Sequence, residues 1–137
     1  MTEASKKTFQ VVAGVIVRDG QYLITQRMSH AILPDLWEFP GGKLEEGESN
    51  QVALARELQY RIGVTASVGE MISETLRDYE DYQVLLRLYE CEIGSQQPLP
   101  LTVQNITWSS IEDMSNYEFA PADKESMDKL ILVQPDA

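Results

Sequence analysis

The order of apolar and polar positions along the chain outlines an alternation of strands and helices. Residues 9–18 are rich in Val and Ile, Asp19-Gly20 is a two-residue hairpin signal, and residues 22–27 return as a second strand. The spacing predicts that the chain opens with a β-hairpin. A loop holding Pro34 leads to a short strand expected over 37–39 and then a turn at Gly41-Gly42. Ser49 suits an N-cap and Gly63 a C′ position. Between them Leu54, Leu58 and Ile62 recur every four residues with Ala55 beside them, which predicts a helix with one apolar stripe. Residues 64–76 and 83–93 read as strands around an acidic turn at 77–81. Pro98 and Pro100 then interrupt the sheet before a last strand over 104–108. Ser110-Ile111-Glu112-Asp113 suggests a helical turn. A closing helix is expected over 121–132, with Pro121 near its first position and Met127, Leu130 and Ile131 on its inner side.

Composition adds bounds. A chain of 137 residues with 43% hydrophobic content can bury one core, and no stretch reads as a linker or repeat. We expect a single domain over 1–137, with flexible tails at 1–7 and 134–137. No apolar run approaches membrane-spanning length and residues 1–7 lack a signal core, so a cytoplasmic protein with no membrane partner is expected. Cys91 permits no internal disulfide, and one cysteine with His30 cannot build a zinc cage. The net charge of −11, without a basic block, disfavours nucleic-acid polymers as partners. Small nucleotides stay open if a metal ion or a local arginine offsets their charge, and plain solubility is an equal reading of the acidity.

One stretch is far more specific than the rest. Trp37-Glu38-Phe39-Pro40-Gly41-Gly42-Lys43-Leu44-Glu45-Glu46-Gly47-Glu48 is followed by Arg56-Glu57-Leu58 and closed by Gly63-Val64. Gly41 and Gly42 can take positive φ and leave room for a ligand. Glu57, Tyr60 and Arg61 sit three and four residues apart and share the helix face opposite the stripe. The stretch resembles the Nudix box, in which Gly42, Glu48, Arg56, Glu57, Leu58, Gly63 and Val64 fall in register. Where that pattern has a Glu-Glu pair this chain has Tyr60-Arg61. In a complete box the face carries three carboxylates, bridged by hard divalent ions that neutralise a diphosphate and activate water. Tyrosine and a guanidinium there should lower Mg²⁺ affinity steeply.

The resemblance extends to the MutT-like branch, including its cytidine triphosphate pyrophosphohydrolase relatives, through the hairpin ending in Gln26-Arg27 and the tail Ala120-Pro121-Ala122-Asp123. It implies an α/β/α sandwich with a central mixed sheet, the box helix on one side and a C-terminal helix on the other. It also implies hydrolysis of a nucleoside triphosphate to monophosphate and pyrophosphate with Mg²⁺ or Mn²⁺, by a monomer or homodimer. Carried over by position, Gly41 supplies a carbonyl to the metal and Glu57 is the retained metal and catalytic carboxylate. Glu48 matches the acid before the helix, and Arg56 the arginine that orients the neighbouring carboxylates. Further metal ligands fall on Tyr60, Arg61 and Thr102, none of them acidic. Arg27 and Lys43 fall on the substrate side, Phe39 where an aromatic lines the base pocket, and Asp123 where the base edge is read.

The residues by themselves allow other readings. Arg27 can be a strand-end arginine and Phe39 simple core. Asp123 can favour a helix N-terminus, and an ionised Asp123 would accept hydrogen bonds from the base without donating. His30 reads as a surface loop residue. Arg61 can pair with Glu57 four residues earlier, which would occupy the one acid left for metal. Acids between Glu74 and Asp81 could replace the missing ligands. Two functions follow: a weak nucleoside triphosphate hydrolase, or an inactive domain that senses a nucleotide or binds a protein.

Overall fold

The computed structural model describes residues 6–125. Strand β1 (Lys7–Arg18) turns at Asp19-Gly20, both with positive φ (52° and 77°), into β2 (Gln21–Gln26). Positive φ at both central residues is what a tight primed hairpin turn requires. The predicted opening hairpin is present, with its first strand starting two residues early. Lys7 already pairs with Tyr82, and Lys6 Nζ lies 2.9 Å from Asp78, so this end of the expected flexible segment is structured. Residues 1–5 and the expected tail at 134–137 lie outside the described residues.

Then come β3 (Trp37–Glu38), β4 (Gly41–Lys43), helix α1 (Asn50–Ile62), β5 (Ser67–Asp78), β6 (Tyr82–Glu92) and β7 (Asn105–Ser109). A 3₁₀ turn, Asp113–Asn116, follows, three residues later than the turn expected at Ser110–Asp113. A second helix, α2, begins at 121 and is described to 125, with Pro121 at its first position. The inner-face residues Met127, Leu130 and Ile131 lie outside the described residues.

The sheet order is β3-β2-β1-β6-β5, with β4 on β1 and β7 on β2. The β1–β6 pair is parallel and the others are antiparallel, so the sheet is mixed as expected. Side chains alternate across it. Val12, Ile16, Leu23, Tyr89 and Cys91 pack with α1, while Ala13, Val15, Ile24, Leu86 and Leu88 pack with Phe39, Met114, Phe119 and Ala122 on the opposite face. Ala122 places the start of α2 against that second face, which gives the predicted sandwich.

Helix α1 is bounded as its sequence predicts. Ser49 Oγ accepts from the Val52 N–H at 3.2 Å, and Gly63 adopts φ 71°, ψ 25° with its N–H on the Gln59 carbonyl. The buried stripe is Leu54, Leu58 and Ile62, joined by Ala53 rather than the expected Ala55. Ala53 lies one residue before Leu54 and turns towards the sheet.

Two adjacent glycines behave differently from the sequence reading. Gly41 and Gly42 form no turn: they are strand residues paired with Ala13 and Val12, and neither has positive φ. Their smallness serves close approach. A Cβ at Gly41 would meet the Val12 carbonyl oxygen, and one at Gly42 would fall on the Glu57 carboxylate. Helix α1 therefore lies tightly over β4 and brings Glu57 to the strand.

Candidate active site

A cleft of about 720 Å³ opens between β4, the outer face of α1 and the loops after β2 and β6. Gly41, Lys43, Glu57, Tyr60, Arg61 and Thr102 line one side. Arg27, Phe39 and Asp123 line the other, joined by Glu38 and His30. Residues spread across most of the chain thus share one cavity. His30 is exposed at its rim. No residue from 74 to 81 lines the cleft, and there Glu74 pairs with Arg87 at 2.8 Å and Asp78 with Lys6. The lining of the cleft thus draws no acid from that segment.

Glu57 is the centre of the arrangement. Its side chain is 8% exposed, and each oxygen is held by a different guanidinium: Arg56 NH1 donates to Oε2 at 2.7 Å and Arg61 Nε to Oε1 at 2.5 Å. The i, i+4 pairing of Glu57 with Arg61 follows from the helix period. Arg56 points back from the cleft and donates to both oxygens of Glu48, at 2.7 and 2.9 Å, and to the Lys43 carbonyl. Glu48 also accepts from the Glu45 N–H at 2.9 Å. These bonds, the Arg56 contact first, hold the Glu48 carboxyl below its ordinary range, and Glu48, followed by Glu57, raises the Arg56 pKa. Glu48 and Arg56 stand behind the cleft as a brace for Glu57 and are not among its lining residues.

The loop 99–102 caps the C-terminal end of α1. Leu99 N–H bonds the Ile62 carbonyl, and Leu101 and Thr102 N–H groups bond the Arg61 carbonyl at 3.1 and 3.2 Å. These are carbonyls a helix end leaves unpaired, and satisfying them seats Thr102 beside Arg61. Thr102 Oγ1 is buried with no hydrogen-bond partner among the described residues.

On the far side, β3 is zipped to the segment before α2. Trp37 N–H bonds the Glu118 carbonyl and Ala120 N–H the Trp37 carbonyl, at 2.8 and 2.9 Å. That junction carries Asp123 to Phe39, whose N–H donates to Asp123 Oδ1 at 3.0 Å. Asp123 sits in the first turn of α2, yet its side chain serves the neighbouring strand. Phe39 is 2% exposed and packs edge-on with Phe119 at 5.8 Å, so it is core and cleft wall at once. Arg27 donates to the Ile32 carbonyl at 2.7 Å and to Glu38 at 3.1 Å.

Sequence reasoning missed Glu38. It stands inside the motif, but only the fold sets it against Asp123. Burial pushes the Asp123 carboxyl well above its ordinary range, with repulsion from Glu38 adding to it and the Phe39 N–H opposing. Burial raises Glu38 as well, against the pull of Arg27. Burial thus favours the neutral form of the Asp123 carboxyl, which donates as well as accepts, over the ionised form.

The NUDIX domain family profile matches residues 11–129. The chain belongs to the Nudix family. It is 36% identical over 117 residues to the CTP pyrophosphohydrolase of Escherichia coli K12, covering 85% of this chain and 87% of that one. It is 29% identical to the 8-oxo-dGTP diphosphatase of the same organism, covering 90% and 97%. Among solved structures, that of the E. coli ORF135 protein superposes with a TM-score of 0.80 at 32% identity, over 93% of this chain and 91% of that one. These matches bear out the fold and the MutT-like resemblance.

Nudix hydrolases generally use divalent metals such as Mg²⁺, and the donors of this cleft do not suit one. Both oxygens of Glu57 are engaged by guanidinium groups, and Arg61 adds positive charge beside them. Among the described residues no three of His, Cys, Asp and Glu gather to hold a metal ion. A hard cation needs several free anionic or carbonyl oxygens, and here the nearest carboxylate is already neutralised. Among the same residues no helix is long and apolar enough to cross a membrane.

Proposed function

We propose that the cleft binds a nucleoside triphosphate and hydrolyses it weakly, to nucleoside monophosphate and pyrophosphate. The observation carrying this reading is the Glu57 carboxylate clasped between Arg56 and Arg61 inside a Nudix cleft. Phosphate charge is met by Arg61 and Lys43, with Arg27 at the other wall, and the base lies towards Phe39 and Asp123. The ligand class follows from the family and from the relatives named for CTP and 8-oxo-dGTP. Burial pushes the Asp123 carboxyl towards its neutral form, which offers a donor as well as acceptors to the base edge, so both of those nucleotides are candidates.

Hydrolysis adds water to a phosphorus of the phosphate bridge, breaks the bridging P–O bond and moves one proton from the water. Glu57 is the carboxylate placed to take it, but each of its oxygens already accepts from an arginine. Neither is free as a base, and turnover should be slow. Stabilisation of charge by Arg61 and Lys43 is what this cleft retains. The same clasp favours a second reading, a nucleotide-binding domain with no turnover.

The test is pyrophosphate release from CTP, 8-oxo-dGTP and the common nucleoside triphosphates, with Mg²⁺ and then Mn²⁺, beside Glu57→Gln and the E. coli CTP pyrophosphohydrolase. Turnover about 100-fold or more below that enzyme, lost in Glu57→Gln, is expected from the loss of metal ligands. Comparable turnover would refute the weak-hydrolase reading. Nucleotide binding with no release above the Glu57→Gln background would select the second.

A further inference from the structure

The three positions where the family resemblance places additional metal ligands have changed in one chemical direction. Carboxylates only accept hydrogen bonds when ionised, whereas Tyr60, Arg61 and Thr102 all donate. Arg61 commits its Nε to Glu57, and among the described residues its NH1 and NH2 groups donate to no protein atom. Thr102 follows the loop that caps the Arg61 carbonyl, lines the same cleft, and buries a hydroxyl with no partner among the described residues. Lys43, next to Gly42 on β4, lines the same cleft, its Nζ 4.4 Å from the Phe9 ring centre. A buried hydroxyl without a partner costs free energy, and a ligand oxygen would remove that cost. Free guanidinium N–H groups form the planar fork that suits a phosphate.

We propose that this cleft is a metal-independent phosphate site, in which Arg61, Thr102 and Lys43 bind the triphosphate of a nucleotide as the free anion. The Arg61 guanidinium takes the place of the divalent ion as the counter-charge. A divalent ion already on the ligand then competes with Arg61 for the same phosphate oxygens, so Mg²⁺ weakens binding. This inference rests on the nucleotide reading of the cleft and deepens it. It assigns to Arg61 and Thr102 a ligand that their metal-binding counterparts could not hold directly.

The experiment is titration calorimetry of the full chain with inorganic triphosphate and, separately, with CTP, each in EDTA and in excess Mg²⁺. Inorganic triphosphate carries no base, so it reports the phosphate site alone. Binding in EDTA that is as tight as in Mg²⁺, or tighter, is expected for both. Arg61→Ala should weaken binding in EDTA by about ten-fold or more, and Thr102→Val by a few-fold, with a single cooperative thermal transition well above the assay temperature as the folding check. Arg61→Lys, which keeps the charge but loses the fork, should fall between wild type and Arg61→Ala. Binding of either ligand that needs Mg²⁺, or that is unmoved by Arg61→Ala, would overturn the proposal while leaving the nucleotide reading in place. Absence of binding by both ligands in both buffers would overturn the proposal and the nucleotide reading together.

Discussion

Gly42→Ala tests the clasp on Glu57 from the opposite side. A Cβ built at Gly42 meets the Glu57 carboxylate, with Cγ only 2.7 Å away. Ordinary contact begins near 3.4 Å and the carboxylate atoms lie closer still than Cγ, so the Glu57 side chain must retreat by about 1 Å or more. An unrestrained glutamate would swing aside at little cost, but this one is held at both oxygens, by Arg56 at 2.7 Å and Arg61 at 2.5 Å. Retreat sacrifices at least one of these bonds. A charge-assisted hydrogen bond contributes about 1.5–3 kcal/mol, and part of that is lost to solvent screening where the partner is partly exposed. Both arginine side chains are 32% exposed, so a loss of about 2 kcal/mol follows. For a chain of this length that is a fall of roughly 6–10 °C in Tm.

The assay is thermal unfolding followed by circular dichroism, with Glu57→Ala and the double variant closing a thermodynamic cycle. The double variant should be no less stable than Glu57→Ala alone, because the clash disappears with the carboxylate. Gly47→Ala is the control: Gly47 has φ 83° but open space around it, so it should lose only the backbone strain of about 1 kcal/mol. A Gly42→Ala variant within about 2 °C of wild type, or strict additivity in the cycle, would show that Glu57 is not fixed between the two arginines.

Restoring the acids with Tyr60→Glu, Arg61→Glu and Thr102→Glu together should raise Mg²⁺-dependent pyrophosphate release by about ten-fold or more, and no gain would sink the account of a disabled metal site. For Asp123, whose carboxyl is pushed up by burial and then by Glu38, the folded chain keeps a proton the unfolded chain releases. Stability is therefore greatest below the ordinary carboxyl range and declines as pH rises from it towards the folded value. Asp123→Asn, which still accepts from the Phe39 N–H, should flatten that decline in urea unfolding measured from about pH 4 to 8. Cys91 is 6% exposed and its thiol is pushed up to about 12 by burial, so iodoacetamide at mildly alkaline pH should label it only after unfolding.

What the sequence determined by itself was what local chemistry can specify. Asp19-Gly20 closes a hairpin because those residues tolerate positive φ, and Ser49 and Gly63 bound α1 because each satisfies an end of that helix from within a few residues. The box spacing carried the family and with it the sandwich, and the i, i+4 period made the Glu57–Arg61 pair legible. Strand ends slipped by one to three residues, because where a strand stops depends on its partner. The Gly41-Gly42 pair was misread as a turn, since a need for close approach and a need for positive φ both call for glycine, and only the packing of α1 over β4 separates them. Asp123 reached Glu38 and Phe39 only because β3 pairs with the segment before α2, a contact across more than eighty residues. Thr102 came to Arg61 because the loop at 99–102 caps the end of a helix far from it in sequence. Burial of those groups, and hence the upward shift of the Asp123 carboxyl and the unpaired Thr102 hydroxyl, is set by neighbours distant along the chain, which local pattern cannot name and tertiary structure alone assembles.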